Sequence, residues 1–298
     1  MKRFQLKAKD QYGLSVHVFP ASQPKAVVQI IHGMEEHQER YENFAAFLCQ
    51  NGYTVVTSDL RGHGKNARDL GYFQEKDGYL ALISDQVKIR NFIARQYPSL
   101  PVCLFAHSMG TIISRVLLQK HSKDYEKVVL SGYPNFQKGA YIGLLISSVI
   151  QKLHGPKYKS AFLQNSSVGV FNKAIKEPRT KLDWICSNPQ TVEAYQKDPY
   201  CGIGFTCSAF HDLYQLVIQM HNPKACKNVH KQMPLLLICG KDDPCVGSEK
   251  GMADSCQILS AAGFNRISQI TYPDMRHEIL NETNHHLVYQ DVLNFLNT

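Results

Sequence analysis

The chain has no CxxC pair, no run of five or six basic residues, no internal repeat and no low-complexity tract. Its longest apolar stretch, residues 141–150, is about half the ~20 residues needed to cross a bilayer. Nine cysteines make an odd set without regular spacing, and Cys49, Cys103 and Cys239 sit inside apolar segments. They read as small buried hydrophobes in a reducing compartment, which argues against a disulfide frame or a zinc site. Residues 1–19 carry no continuous apolar region followed by a cleavage pattern. A secretory signal is therefore not expected, and the cytoplasm is the expected location. Although the net charge is +8, the basic residues are scattered and no aromatic-interleaved basic motif occurs. Nucleic acid is thus not an expected partner. The charge reads as a solubility feature with a weak pull toward anionic lipid surfaces.

What the chain does have is alternation. Residues 4–7 and 15–19 read as two short strands joined through Tyr12-Gly13 as a hairpin. Residues 26–31 form a β-branched apolar run, as expected of a strand buried on both faces, and 53–58 form another strand. Between them Tyr41, Phe44, Ala45 and Leu48 recur at helical spacing, closed by Gly52. A longer helix is expected over 78–97, ended before Pro98. Strand 102–106, helix 109–119 and strand 127–130 follow. This order predicts an α/β fold, a mostly parallel central sheet with helices on both faces. The rhythm breaks after Gly132 and resumes with strand 235–239, helix 247–262, strand 267–272 and helix 285–296. A crossover between parallel strands needs only about thirty residues. Residues 133–232, which include apolar helical stretches and the single tryptophan, Trp184, are therefore expected to be an inserted helical cap. The core would be 1–132 and 233–298.

Ala106-His107-Ser108-Met109-Gly110 falls between an apolar strand and an amphipathic helix. A serine hydroxyl is a poor nucleophile until a base takes its proton and a sharp turn lifts Oγ above the sheet. That turn needs small residues two positions to either side. Gly110 fits, and Ala106, where Gly is usual, is still small. Ser108 is the expected nucleophile. In such strand–turn–helix sites the acid and then the base follow on loops after later strands. Asp242-Asp243-Pro244 follows strand 235–239, and Asp274-Met275-Arg276-His277 follows strand 267–272. Both lie at strand carboxyl ends, where parallel-sheet sites form. Of the thirteen histidines only His277 occupies that position. His32, His63, His285 and His286 read as structural or solvent-exposed. Asp242 and Asp243 are adjacent, so only one can face the imidazole; Asp243 is preferred, and Asp274 is too close to His277 along the same loop. The backbone N–H groups of Met109 and of Met34, in His32-Gly33-Met34, are the expected oxyanion donors. This chemistry needs no metal and no organic cofactor.

These residues resemble a known family. His32-Gly33-Met34-Glu35-Glu36-His37 followed by Arg40-Tyr41 is similar to the oxyanion loop of the monoacylglycerol lipase and lysophospholipase group of α/β-hydrolases. Asp59-Leu60-Arg61-Gly62-His63-Gly64 resembles that group's Asp-x-Arg-Gly-His-Gly loop, and Ala106 to Gly110 its nucleophile elbow, with Ala for Gly. Asp242-Asp243-Pro244-Cys245-Val246-Gly247 resembles the acid loop, with Asp243 the aligned acid. Arg276-His277-Glu278-Ile279-Leu280-Asn281-Glu282 resembles the histidine loop of bacterial members. Thr180-Lys181-Leu182-Asp183-Trp184 and Asp198-Pro199-Tyr200-Cys201-Gly202 resemble cap segments of the same members. The resemblance spans nearly the whole chain in order. It implies the α/β-hydrolase fold and hydrolysis of a monoacyl lipid ester through a Ser-His-Asp triad and an acyl-enzyme.

The expected partner is therefore a small acyl ester, with monoacylglycerol first. A lysophospholipase or a general carboxylesterase or thioesterase is the alternative, and a non-catalytic binding protein of the same fold the rival from another class. No acidic cluster in the cap suggests an amine anchor, which argues against an aminopeptidase. Lys157-Tyr158-Lys159 is read as a solvated turn rather than a headgroup site. The apolar cap makes transient contact with a membrane or micelle surface an expectation.

Overall fold

In a computed structural model covering residues 1–298, eight strands form one sheet. They are β1 (Lys2–Lys7), β2 (Gly13–Phe19), β3 (Ala26–Ile31), β4 (Tyr53–Ser58), β5 (Val102–His107), β6 (Val128–Ser131), β7 (Pro234–Gly240) and β8 (Arg266–Tyr272). The order across the sheet is β1-β2-β4-β3-β5-β6-β7-β8. β1 and β2 are antiparallel, with Lys2 opposite Val18, and every pair from β4–β3 to β7–β8 is parallel. The expected α/β-hydrolase architecture is what the chain adopts.

Two-sided burial explains why the central strands are mostly apolar on both faces. Successive side chains of a strand point to opposite faces. Val27, Ile31, Leu104, Leu130 and Leu237 join one hydrophobic cluster, while Val28, Ile30, Phe105, Val129 and Ile238 join another. The first face is covered by α2 (Gly78–Gln96), α3 (Met109–His121) and α8 (Glu249–Ala261). The second is covered by α1 (Glu42–Gln50) and α9 (His285–Asn297), where Phe44 packs 4.9 Å from the rings of both Phe105 and Tyr289. Each such buried Leu, Ile, Val or Phe contributes roughly 1.5–3 kcal/mol.

Between β6 and β7 the chain leaves the sheet and forms α4 (Gly139–His154), α5 (Ala161–Ser167), α6 (Pro189–Lys197) and α7 (Cys207–Met220). The apolar helical stretches of this segment, at 141–153 and 210–220, fall in α4 and α7, while the short α5 and α6 carry too few turns to show a period. Asn188 and Ser160 nevertheless cap them, accepting hydrogen bonds from the Gln190 and Leu163 amides. Helix α7 packs on α4, α3 and α2, and Phe210, Leu213 and Leu216 continue the core cluster of the first sheet face. No helix is long and apolar enough to cross a membrane.

Candidate active site

The carboxyl ends of β3, β5, β7 and β8 carry the four loops singled out in the sequence. β5 passes into α3 at Ser108, which takes φ 52° and ψ −121°. A left-handed backbone costs an L-residue about 1 kcal/mol or more and persists only where its surroundings hold it. Here the Ser108 amide donates to the Ser131 carbonyl on β6 at 2.9 Å, and the Ser108 carbonyl accepts from the Thr111 amide and hydroxyl.

Close approach of α3 to β3 explains Gly110. A Cβ there would lie 2.3 Å from the Ile31 carbonyl oxygen and 2.7 Å from that of His32, both backbone atoms. Gly110→Ala should therefore lower Tm by roughly 5 °C, the overpacking cost of about 1–3 kcal/mol for a chain of this size. Turnover should fall with it, because the atoms displaced open the loop that carries Met34. Thermal melts beside ester assays measure both.

The loops after β7 and β8 meet in the same way. A Cβ on Gly240 would sit 2.2 Å from the Met275 carbonyl oxygen, so only glycine lets the end of β7 touch the loop after β8. The outcome is a hydrogen-bonded line. His277 Nδ1–H donates to Asp243 Oδ2 at 2.9 Å, and Ser108 Oγ–H donates to His277 Nε2 at 2.8 Å. The second carboxylate oxygen of Asp243 accepts from the Cys245 amide at 2.8 Å. The Asp243 and His277 side chains are 0% and 4% exposed, so water screens their attraction little. Burial disfavours the imidazolium, but the charge and hydrogen bond of Asp243 prevail and raise the His277 pKa well above its ordinary value. Asp242 is exposed, with its amide bonded to the Met275 carbonyl.

The loop after β3 is held by neutral histidines. The Leu60 amide donates to His32 Nε2 at 2.9 Å, which leaves the proton on Nδ1 to bond the Gly33 carbonyl at 2.8 Å. In a trans peptide the N–H points opposite to the C=O. Tying back the Gly33 carbonyl thus turns the Met34 N–H outward, and that amide meets no protein acceptor. The Met109 N–H opens α3, among the N–H groups that no helical turn satisfies. His63 repeats the device, accepting from the Glu35 amide and donating to the Arg61 carbonyl. Burial, aided by the neighbouring His63, holds the His32 pKa well below its usual range, and burial holds that of His63 at about 4. Both ring nitrogens of each histidine are thus spent on holding backbone.

Several neighbours carried no sequence signal for their placement. Trp184 lies 5.1 Å from the His277 ring and His107 4.7 Å from it, centroid to centroid. Arg40 makes a bidentate pair with Glu278 (2.5 and 2.6 Å) and reaches Glu36 at 2.9 Å, while Glu36 also accepts from the Gly33 amide at 2.6 Å. Beneath residues 133–232, Trp184, His107, Glu36 and Glu278 border a cavity of about 1330 Å³. Ser108, Met109 and His277 line it together with apolar side chains such as Ile146, Phe171 and Val217.

Two triplets bring metal-ligand atom types within 4.8 Å of one another: Asp243, Cys245 and His277, and His37, Asp198 and Cys201. In each, histidine and carboxylate are already spent on one another, at 2.9 and 2.8 Å. Burial keeps the thiols protonated, that of Cys245 at about 11 and that of Cys201 still higher.

Comparison with known proteins gives a consistent picture. A family model described as serine aminopeptidase, S33, matches residues 22–284. A monoacylglycerol lipase of Mycolicibacterium smegmatis is 25% identical over 283 residues, covering 93% of this chain and 90% of that protein. Phospholipase YtpA of Bacillus subtilis is 25% identical over 264 residues, covering 88% and 91%. A thermostable carboxyl esterase from Bacillus coagulans, solved in complex with glycerol, superposes with a TM-score of 0.92 at 23% identity over 99% of this chain and 97% of that one. That last likeness bears on the fold.

Proposed function

The chain belongs to the serine aminopeptidase S33 family of α/β-hydrolases, within its monoacylglycerol lipase and lysophospholipase-like members, and from that premise we propose how and on what it acts. It is an ester-hydrolysing enzyme. The proposed substrate is a monoacylglycerol or a similar medium- or long-chain monoacyl ester, and Ser108, His277 and Asp243 are the proposed triad. The observation that carries this reading is the unbroken Asp243–His277–Ser108 hydrogen-bond line at the floor of an apolar cavity.

In the proposed mechanism His277 Nε2 takes the Ser108 proton as Oγ attacks the ester carbonyl. The oxyanion that forms faces the Met34 and Met109 amides, each worth about 3 kcal/mol in the transition state. His277 then returns its proton to the departing alkoxide, and water repeats the sequence on the acyl-enzyme. Asp243 keeps the tautomer and stabilises the imidazolium. Residues 133–232 act as the cap, and the 1330 Å³ space beneath them exceeds the ~300–1,000 Å³ of ordinary small-molecule pockets, which suits an extended acyl chain. The lysophospholipase alternative lacks a phosphate grip at Lys157-Tyr158-Lys159. Lys157 pairs with Asp69 at 2.8 Å, and Lys159 bonds the Ile203 carbonyl. Rates on monoacylglycerols and on lysophosphatidylcholine of matched chain length test the choice; faster turnover of the phospholipid would reverse it.

The cap also supports a lipid-surface contact. On α4, Tyr141, Ile142, Leu145, Val149 and Leu153 recur at helical spacing and all face solvent, Leu145 and Leu153 at 67% and 71% exposure. Lys138 and Lys152 fall on the same helix face, and residues 133–176 contain no Asp or Glu. An apolar ridge flanked by cations suits an anionic bilayer, with about 1 kcal/mol per lysine near the surface. Sedimentation with phosphatidylglycerol vesicles should capture more enzyme than phosphatidylcholine vesicles do. Leu145→Glu combined with Leu153→Glu should weaken that capture about tenfold while sparing hydrolysis of a water-soluble ester.

A further inference from the structure

Glu35 follows the proposed oxyanion donor Met34 and has φ 56°, a left-handed backbone rarely taken by a residue of its size. Its bonds run to two different parts of the molecule. Upstream, the loop is held by the core alone: His32 grips the Gly33 carbonyl, Glu36 the Gly33 amide and His63 the Glu35 amide. From the Glu35 carbonyl outward, the grip passes to the segment between β6 and β7. That carbonyl accepts from the Tyr195 hydroxyl of α6 at 2.7 Å and from the Gly202 amide at 3.0 Å. The Glu35 carboxylate Oε1 accepts from Gln164 Nε2 of α5 at 2.8 Å. Three separate stretches of the cap thus converge on one residue of the core.

We infer that Glu35 is a positioning residue through which the cap holds the oxyanion loop, and with it the Met34 N–H, in its working shape. The inference rests on the role proposed above for that amide. Two costs in the structure are consistent with it. The left-handed backbone is strained for glutamate and lasts only while its surroundings over-determine it. Gln164 gives its Nε2 to the carboxylate while its own Oε1 stays buried without a partner, a price met only if the charged bond outweighs it. The side chain is buried, and burial raises its carboxyl pKa even though the Gln164 bond favours the charged form. Release of these three bonds frees Glu35 to relax toward ordinary φ values. The peptide that relaxation turns adjoins Met34.

The experiment uses Glu35→Gly, Glu35→Gln and Tyr195→Phe in the full chain, with active sites counted by fluorophosphonate titration. Glycine is at home at this φ, so Glu35→Gly removes the carboxylate without backbone strain. Expected results on a soluble ester are kcat per titrated site about tenfold lower in Glu35→Gly and Tyr195→Phe, with KM within twofold. A trifluoromethyl ketone, whose adduct carries the oxyanion, should weaken by the same factor. Glu35→Gln, which keeps an acceptor for Gln164, should restore most of the rate. Unchanged kcat per site in both Glu35→Gly and Tyr195→Phe would overturn the inference while leaving the proposed function standing. Lack of Ser108 labelling in the wild type would instead overturn the proposed function, and this inference with it.

Discussion

Ser108→Ala and His277→Ala should each remove essentially all turnover of a short p-nitrophenyl ester, and Ser108→Ala should take up no fluorophosphonate. Loss of the nucleophile or of its base in a triad costs roughly a millionfold in kcat, because the two act as one unit. The 2.8 Å contact between His277 Nε2 and Ser108 Oγ is the physical ground for expecting equal losses here. Without the imidazole the hydroxyl keeps its proton; without the hydroxyl the imidazole has nothing to activate but water. Neither change should unfold the protein. His277 is fixed partly by its neighbours, the Arg276 amide bonding Glu282 and the Glu278 amide bonding the Ile185 carbonyl. Circular dichroism and thermal melts on both variants separate lost chemistry from lost fold. Retention of more than about one part in a thousand of the wild-type rate in Ser108→Ala would rule out the mechanism.

Asp243→Asn should lower kcat by about ten-thousandfold, while Asp242→Asn changes it little. Only Asp243 reaches His277, and it does so from full burial; Asp242 points to solvent one residue earlier. The sign of the accompanying pH effect follows from the imidazole. His277 must be neutral to accept the Ser108 proton, so kcat/KM falls as pH drops through its pKa. Burial alone would lower that pKa, and the Asp243 carboxylate raises it above the ordinary histidine value. Removing the charge lets burial prevail, and the acidic limb of the residual activity should move to lower pH. A larger loss in Asp242→Asn than in Asp243→Asn would assign the acid to the other aspartate. A limb that moved up in pH would mean the imidazole is not tuned by Asp243.

Particular elements show how much was legible beforehand. β3 and β4 fall at residues 26–31 and 53–58, as read from the sequence, because strands buried on both faces have no exposed position to blur their ends. Helix α1 starts at Glu42, one residue after the apolar spacing begins at Tyr41, since Gln38–Tyr41 winds first as a 3-10 turn whose Gln38 amide and side chain bond Asp59. In the hairpin Gly13 pairs with Lys7 inside the ladder, and the turn is made by residues 8–12 instead.

Ser108, with Ala106 out of the usual pattern, was therefore readable as an elbow because strand, turn and helix are consecutive in the chain. The same local logic located the loops holding Met34, Asp243 and His277. Tertiary structure decided what those loops touch: that Asp243 rather than Asp242 meets His277, that Trp184 lies beside the imidazole, and that Gln164, Tyr195 and Gly202 close on Glu35. The division has a physical cause. Burial period and turn chemistry act between neighbours a few residues apart and leave their mark in the string. A bond between residues 129 or 160 positions apart, as Glu35 makes with Gln164 and Tyr195, depends on how whole layers pack, and no local pattern records it.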